Sequence, residues 1–152
     1  MITVRKFESG DENGVWDVFY SSIHQVCSND YSEEQIHAWA PADLDRSIWI
    51  SKIQSIKPFV AVIAEKIVGY ADLQKDGKID HFFVHGDHQA EGVGSSLMKR
   101  IIEKSVNNKK LFSEVSYTAK PFYEKYGFKV TKVQQVKIHG VTLENNIMER
   151  CN

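Results

Sequence analysis

The stretch IDHFFVHGDHQAEGVGSSLMKR, Ile79 to Arg100, runs from β-branched and aromatic residues into a polar turn, then Gly92 and Gly94, then an amphipathic helix. A glycine-rich turn that opens a helix presents unpaired N–H groups and the positive end of the helix dipole, an arrangement that holds phosphate. Two common nucleotide patterns are absent. The dinucleotide fingerprint needs a glycine three residues after Gly94, and that position is Leu97, which disfavours a hydride-transfer cofactor. No Gly-Lys-Ser/Thr run follows a four-residue gap, which disfavours nucleoside triphosphate chemistry. What remains is Gln89-Ala90-Glu91-Gly92-Val93-Gly94, a turn of small residues leading directly into a helix.

Working outward, Val93, Leu97, Met98, Ile101 and Ile102 recur at helical spacing from Gly92 to about Asn107. Upstream, FVAVIAEKIVGYADLQKDGKIDHFFV reads as three antiparallel strands with turns at Glu65-Lys66 and Lys75-Asp76-Gly77. Downstream, LFSEVSY is a strand, TAKPFYEKY a short helix closed by Gly127, and the remainder two strands about His139-Gly140. At the other end, Ile2–Phe7 reads as a strand. Ser9 or Asp11 caps a helix carrying Val15, Val18, Phe19, Ile23 and Val26. Ser32 and Gln35 form a capping box for a helix that must end before Pro41. A third helix, about Asp43 to Ile56, places Leu44, Ile48 and Ile53 on one side with Trp49 nearby. The order implies an α+β domain, residues 1–152, with a mixed, mostly antiparallel central sheet of about seven strands, flanking helices and one strand-helix-strand crossover.

At 152 residues the chain can bury roughly two-thirds of its unfolded surface as one domain. A net charge of -1 gives no reason to expect nucleic acid. The longest apolar run, Phe59–Ala64, is too short for a membrane span, and the N-terminus lacks the apolar core of a signal peptide, so a cytoplasmic location is expected. Cys27 and Cys151 form neither a disulfide framework nor a metal pair by spacing. His81 and His85, four residues apart in a strand, lie ~13 Å apart and cannot share an ion. His85, Asp87 and His88 make a weak ligand pattern, and no metal is expected.

The Gln-x-x-Gly-x-Gly turn, the preceding strand ending in Phe83-Val84-His85 and the downstream PFYEKYGF together resemble the GNAT superfamily of acyl-CoA-dependent N-acetyltransferases. The element order follows the same fold over most of the chain, and YSEEQIHAWAP resembles a bacterial subgroup of unassigned substrate. The resemblance implies acetyl-CoA as cosubstrate, its pyrophosphate on the backbone of Gln89, Ala90, Glu91, Gly92, Val93, Gly94 and Ser95, with Lys99 and Arg100 offered to the ribose phosphate. It also implies that Phe83 and Val84 present main-chain groups to the pantetheine arm, that Ser116, Tyr117, Ala119 and Phe122 flank it, and that Tyr123 protonates the leaving thiolate. Phe82 reads as core. The implied reaction is direct acetyl transfer to a primary amine of a small molecule or peptide. A non-catalytic acyl-CoA-binding or sensing module is the alternative.

An aliphatic ammonium, pKa ~10.4, must lose a proton before it can attack. Asp80, His81 and Asp72 are the candidate acceptors. Because strand side chains alternate, Asp80 and His81 are expected on opposite faces, with Asp80 sharing the face of Val84. The acceptor pocket is expected between the N-terminal helices and the final hairpin, near His24, Tyr31, His37, Trp39 and Trp49, with Asp30, Glu33 and Glu34 as groups that would attract a cation. An exposed final hairpin leaves room for a homodimer.

Overall fold

Asp72 decides how the sheet is built. This aspartate has no exposed surface, and its Oδ1 accepts two bonds of 2.8 Å, from the consecutive backbone N–H groups of Asp80 and His81. Two neighbouring N–H groups pointing the same way break the alternation of a strand, which is the mark of a bulge. The computed structural model describes residues Met1–Asn152. In it, the segment that reads as one strand is divided into β4 (Lys78–Ile79) and β5 (Phe82–Val84), which pair with different neighbours.

β5 continues an antiparallel sheet in the order β1-β2-β3-β5, where β1 is Thr3–Lys6, β2 Phe59–Ile63 and β3 Lys66–Ala71. β4 instead lies parallel to β6 (Lys110–Val115), and the second sheet runs β4-β6-β8-β7, with β7 Lys129–Ile138 and β8 Val141–Cys151. The α+β fold with a crossover is as expected. The strand count differs because the bulge divides one expected strand into two and the sheet into two four-stranded halves. The β2–β3 turn sits one residue earlier than expected, at Ala64 and Glu65, both with left-handed φ.

Five helices cover the sheets. α1 (Glu12–Ser21) runs into a π turn at Ser22–Val26 and a short 3-10 turn at Cys27–Asn29. Asp11 stands at its N-cap but gives its carboxylate to Arg5 and to the Glu8 N–H instead of to the helix. α2 (Glu33–Trp39) has the expected Ser32–Gln35 capping box. α3 (Arg46–Ile56) starts later than expected because Asp45 caps it through Ser47. Its buried face is Trp49, Ile53 and Ile56, whereas Ile48, expected inside, is 59% exposed. No helix is long and apolar enough to cross a membrane.

α4 (Val93–Lys104) buries Val93, Leu97, Met98 and Ile101, and α5 is Lys120–Lys125. Gly69 in β3 sets the depth of α4. A Cβ there would lie 2.7 Å from Val93, 3.0 Å from Leu97 and 3.2 Å from the Phe83 carbonyl, so only glycine lets the helix approach this closely.

Replacing Asp72 by Ala leaves two N–H groups without their acceptor, each costing about 1–3 kcal/mol when buried. Urea unfolding of Asp72→Ala is expected to show a loss of about 2–5 kcal/mol. Asp72→Asn, which keeps an acceptor oxygen, should lose less than half of that.

Candidate active site

The two sheet halves part beyond the bulge, and β5 becomes an edge strand that faces an opening. The His81 carbonyl and the His85 N–H are both bonded into β3, by Asp72 N–H and to the Val68 carbonyl respectively. By alternation, Phe83 also turns its main chain to β3, while the N–H and C=O groups of Phe82 and Val84 face the open side. The main-chain pair available to a ligand is therefore Phe82 and Val84 rather than the expected Phe83 and Val84. The Val84 carbonyl accepts from the Gln89 side chain at 2.9 Å, which ties the turn to the strand.

That turn is wound by Ala90 (φ 60°) and Gly92 (φ 85°), both left-handed, and no side chain caps α4. The first intrahelical bond is Ser96 N–H to the Gly92 carbonyl at 3.0 Å, so the N–H groups of Val93, Gly94 and Ser95 have no intrahelical acceptor. A Cβ on Gly94 would sit 3.2 Å from the Phe122 ring, so the absence of a side chain lets α5 close against the helix start.

These parts surround a cavity of about 480 Å³. Of the predicted cofactor residues it is lined by Phe83, Val84, Gln89, Ala90, Gly92, Val93, Gly94, Ser95, Ser116, Ala119 and Phe122, together with Tyr123. Glu91 is the exception; its carboxylate turns to His88 Nδ1 at 3.2 Å. Phe82, read as core, lines the cavity too, as do Ser22, Val26 and Cys27 from the irregular end of α1. Lys125 is on its wall, and no carboxylate is. Lys99 and Arg100 are elsewhere on α4, Arg100 lying over the Phe59 ring.

Tyr123 is 3% exposed and packs edge-on against Phe128 and Phe82. Burial raises its phenol well above the ordinary value, with Ser113 partly opposing. It stays protonated at every physiological pH. Burial likewise pushes the Cys27 thiol up to about 11.

A second cavity, about 350 Å³, lies on the other side of Phe83 and Ser116, which line both. Here Asp80 and His81 appear together, contrary to the expected alternation, because the bulge turns their backbones the same way. Burial works to raise the Asp80 carboxyl, but Lys52, 2.6 Å away, outweighs it and holds Asp80 below the usual range. Burial lowers His81 to about 4, and its Nδ1 lies 2.9 Å from the Tyr70 hydroxyl. Asp72, the third candidate base, is occupied in the bulge, and burial raises its carboxyl.

Tyr31 and Trp39, expected near an acceptor, line this cavity, whereas Trp49 is core, His24 bonds the Ala40 carbonyl, and His37 faces Glu33. Asp30 accepts from Thr118, and neither Glu33 nor Glu34 reaches the cavity. Its carboxylates besides Asp80 are Glu114 and Glu144, which the sequence reading missed. Glu114 on β6 precedes Ser116, the residue just past the strand's end, by two and so shares its side, a signal that strand alternation offered. Tyr117, expected beside the cofactor arm, bonds Glu144 instead. His85 accepts from the Asp87 N–H at 3.0 Å within its own turn.

A family model for the acetyltransferase (GNAT) domain matches residues 27–145. The chain belongs to the GNAT family of acetyltransferases. It is 33% identical over 147 residues, 97% of this chain and 94% of the relative, to the uncharacterized N-acetyltransferase YafP of Escherichia coli K12. A GCN5-related N-acetyltransferase structure from Rhodopseudomonas palustris superposes with a TM-score of 0.93 at 28% identity, covering 99% of this chain and 95% of that one. The PaiA N-acetyltransferase of Thermoplasma acidophilum, solved with coenzyme A, shares the GNAT fold at a TM-score of 0.71 and 20% identity, covering 100% of this chain and 99% of that one.

The depressed His81 gives this GNAT protein a pH signature. Its folded pKa, about 4, lies below the unfolded value of ~6.5, so the unfolded state takes up the proton first. The contribution is complete above about pH 6.5 and is lost as pH falls toward about 4, amounting to at most about 3 kcal/mol. Unfolding free energies measured from pH 7 to 4 should fall less steeply in His81→Gln than in the parent chain.

Proposed function

We propose that this acetyltransferase moves the acetyl group of acetyl-CoA directly to a primary amine, with the donor in the larger cavity and the acceptor in the smaller. The observation that carries the reading is the opposite character of two cavities sharing Phe83 and Ser116. The donor side has unpaired helix N–H groups, Lys125 and no carboxylate, suited to a pyrophosphate. The acceptor side has three carboxylates on its wall, of which Asp80 is paired with Lys52 and Glu114 and Glu144 have no cationic partner, suited to an ammonium.

In this reading Gln89, Ala90, Gly92, Val93, Gly94 and Ser95 hold the pyrophosphate, and Glu91 contributes only its place in the turn. The pantetheine arm lies along the free edge of β5, between Phe82, Val84, Ser116, Ala119 and Phe122. A β5 N–H on that edge polarises the thioester carbonyl and receives the oxyanion of the tetrahedral intermediate, a role worth about 3 kcal/mol in comparable sites. Attack forms the new N–C bond. Collapse breaks the C–S bond, and Tyr123 supplies the proton to the departing sulfur. Direct transfer is supported by the donor wall's only thiol, Cys27, whose burial pushes it up to about 11 and so leaves little nucleophilic thiolate at pH 7.

The amine's proton is the harder matter. His81 at about 4 and Asp80, lower than an ordinary carboxylate, are both far weaker bases than an amine of pKa ~10.4. They serve as relays that pass the proton to water, with His81 better placed because Asp80 is held by Lys52. The attacking species is then the free amine, about one molecule in 10³ at pH 7.4. The coenzyme A seen in the Thermoplasma relative supports the donor assignment.

Thermal stabilisation by acetyl-CoA, and not by NAD or ATP, followed by thiol release with amines, tests the assignment; stabilisation by the nucleotides alone would overturn it. In the active system, kcat/KM for an aliphatic amine should climb about tenfold per pH unit from 6 to 9, with no break near 6.5. Tyr123→Phe should lower kcat by roughly 10²-fold while leaving acetyl-CoA affinity within about twofold.

A further inference from the structure

The smaller cavity has a chemistry of its own beyond being acidic. Phe19, Phe83, Trp39 and Tyr31 form a chain of rings around it, with centroids 5.2 Å apart for Phe19–Phe83, 6.2 Å for Trp39–Phe83 and 5.6 Å for Tyr31–Trp39, all near edge-to-face. Val136, Ile138 and Leu143 from the final hairpin close the apolar wall. Such a surface favours a flat or bulky apolar body and stacks well with an aromatic ring.

The carboxylates are not equivalent. Asp80 is neutralised by Lys52. Glu114 accepts from the Gln134 amide and Glu144 from the Tyr117 hydroxyl, both neutral donors, so neither is paired with a cation. Glu114 is exposed and Glu144 partly so, which puts the uncompensated charge toward the mouth, while Phe83 and Ser116 form the shared wall and His81 lines this cavity alone. Asn145 lines the same cavity and has the only buried side-chain oxygen or nitrogen in the chain without a hydrogen-bond partner, its Oδ1. Carboxylates at the rim draw in an ammonium on its way to the shared wall, and the rings hold an apolar body beside it, so the site selects a molecule with one amine on an aromatic body.

We infer that the acceptor is a small arylalkyl primary amine, an ammonium on a short spacer from an aromatic ring, rather than a linear polyamine or a peptide terminus. The inference rests on the acetyl-transfer reading above. A linear polyamine would leave the ring wall without a partner, and a peptide needs an open groove for its main chain where this cavity has hairpin side chains.

The test uses the full chain, acetyl-CoA and three acceptors: phenylethylamine, spermidine and an alanine-initiated peptide, followed by thiol release. The expected result is a kcat/KM for phenylethylamine at least about tenfold above the other two. Glu114→Gln and Glu144→Gln should each raise its KM about threefold or more, without moving the affinity for acetyl-CoA. With aniline, which is uncharged at assay pH, the same variants should leave KM unchanged. If acetyl-CoA binds and spermidine or the peptide is preferred, or if the glutamate variants leave the KM for phenylethylamine unchanged, the inference is overturned and the donor reading stands. If acetyl-CoA fails to bind, both fall.

Discussion

The bonds from Asp80 N–H and His81 N–H to the Asp72 carboxylate are the constraint on which the site depends. A regular strand from Lys78 to Val84 would bond to β3 along its length and would leave no edge facing inward. By accepting two successive donors, Asp72 turns the chain by one residue, sends β4 to β6 and leaves β5 with β3. The gap beyond the bulge is therefore a consequence of backbone pairing, with strand β5 on one wall and the start of helix α4 on another. A site on such walls keeps its geometry without a ligand, which lowers the ordering cost of binding.

Helix α4 is placed by the same sheet. Gly69 lies in β3, opposite Val84 of β5, so one backbone position sets both how near the helix approaches and how the edge strand is held. The uncapped N-terminus then opens onto the strand edge that carries the free groups of Phe82 and Val84. In the proposed reading, phosphate recognition and thioester recognition are thus two ends of one unit, and Gln89 bonding the Val84 carbonyl couples them directly.

The parts legible in the sequence were those set by neighbours in the chain. The glycine turn, the amphipathic face of α4, the Ser32–Gln35 box and the His139-Gly140 hairpin all follow from short-range spacing, and the structure has each of them. The bulge was not legible, because its cause is a buried carboxylate eight and nine residues away from the two N–H groups it holds. Strand alternation applied across it put Asp80 and His81 on opposite faces, and the resemblance alone had named Phe83 where Phe82 stands at the open edge. Glu114 and Glu144 meet at one cavity only through the long pairing of β6 with β8, which no local pattern announces. Ile48 failed for a simpler reason: α3 begins at Arg46, and its buried stripe runs through Trp49, Ile53 and Ile56 instead.

In the proposed reaction the two cavities also divide the proton chemistry. On the donor side, burial keeps Tyr123 protonated, so a donor is ready when the sulfur departs, although its weaker acidity makes transfer slower than from a phenol at ~10. On the acceptor side, burial keeps His81 unprotonated, so an acceptor is ready when the amine attacks, although it cannot hold the proton against water. Both groups are thus fixed in the form the reaction needs, and both give up strength for that constancy. On that proposal the rate comes from placement of the thioester against the edge of β5, with proton transfer following the free amine that solution supplies.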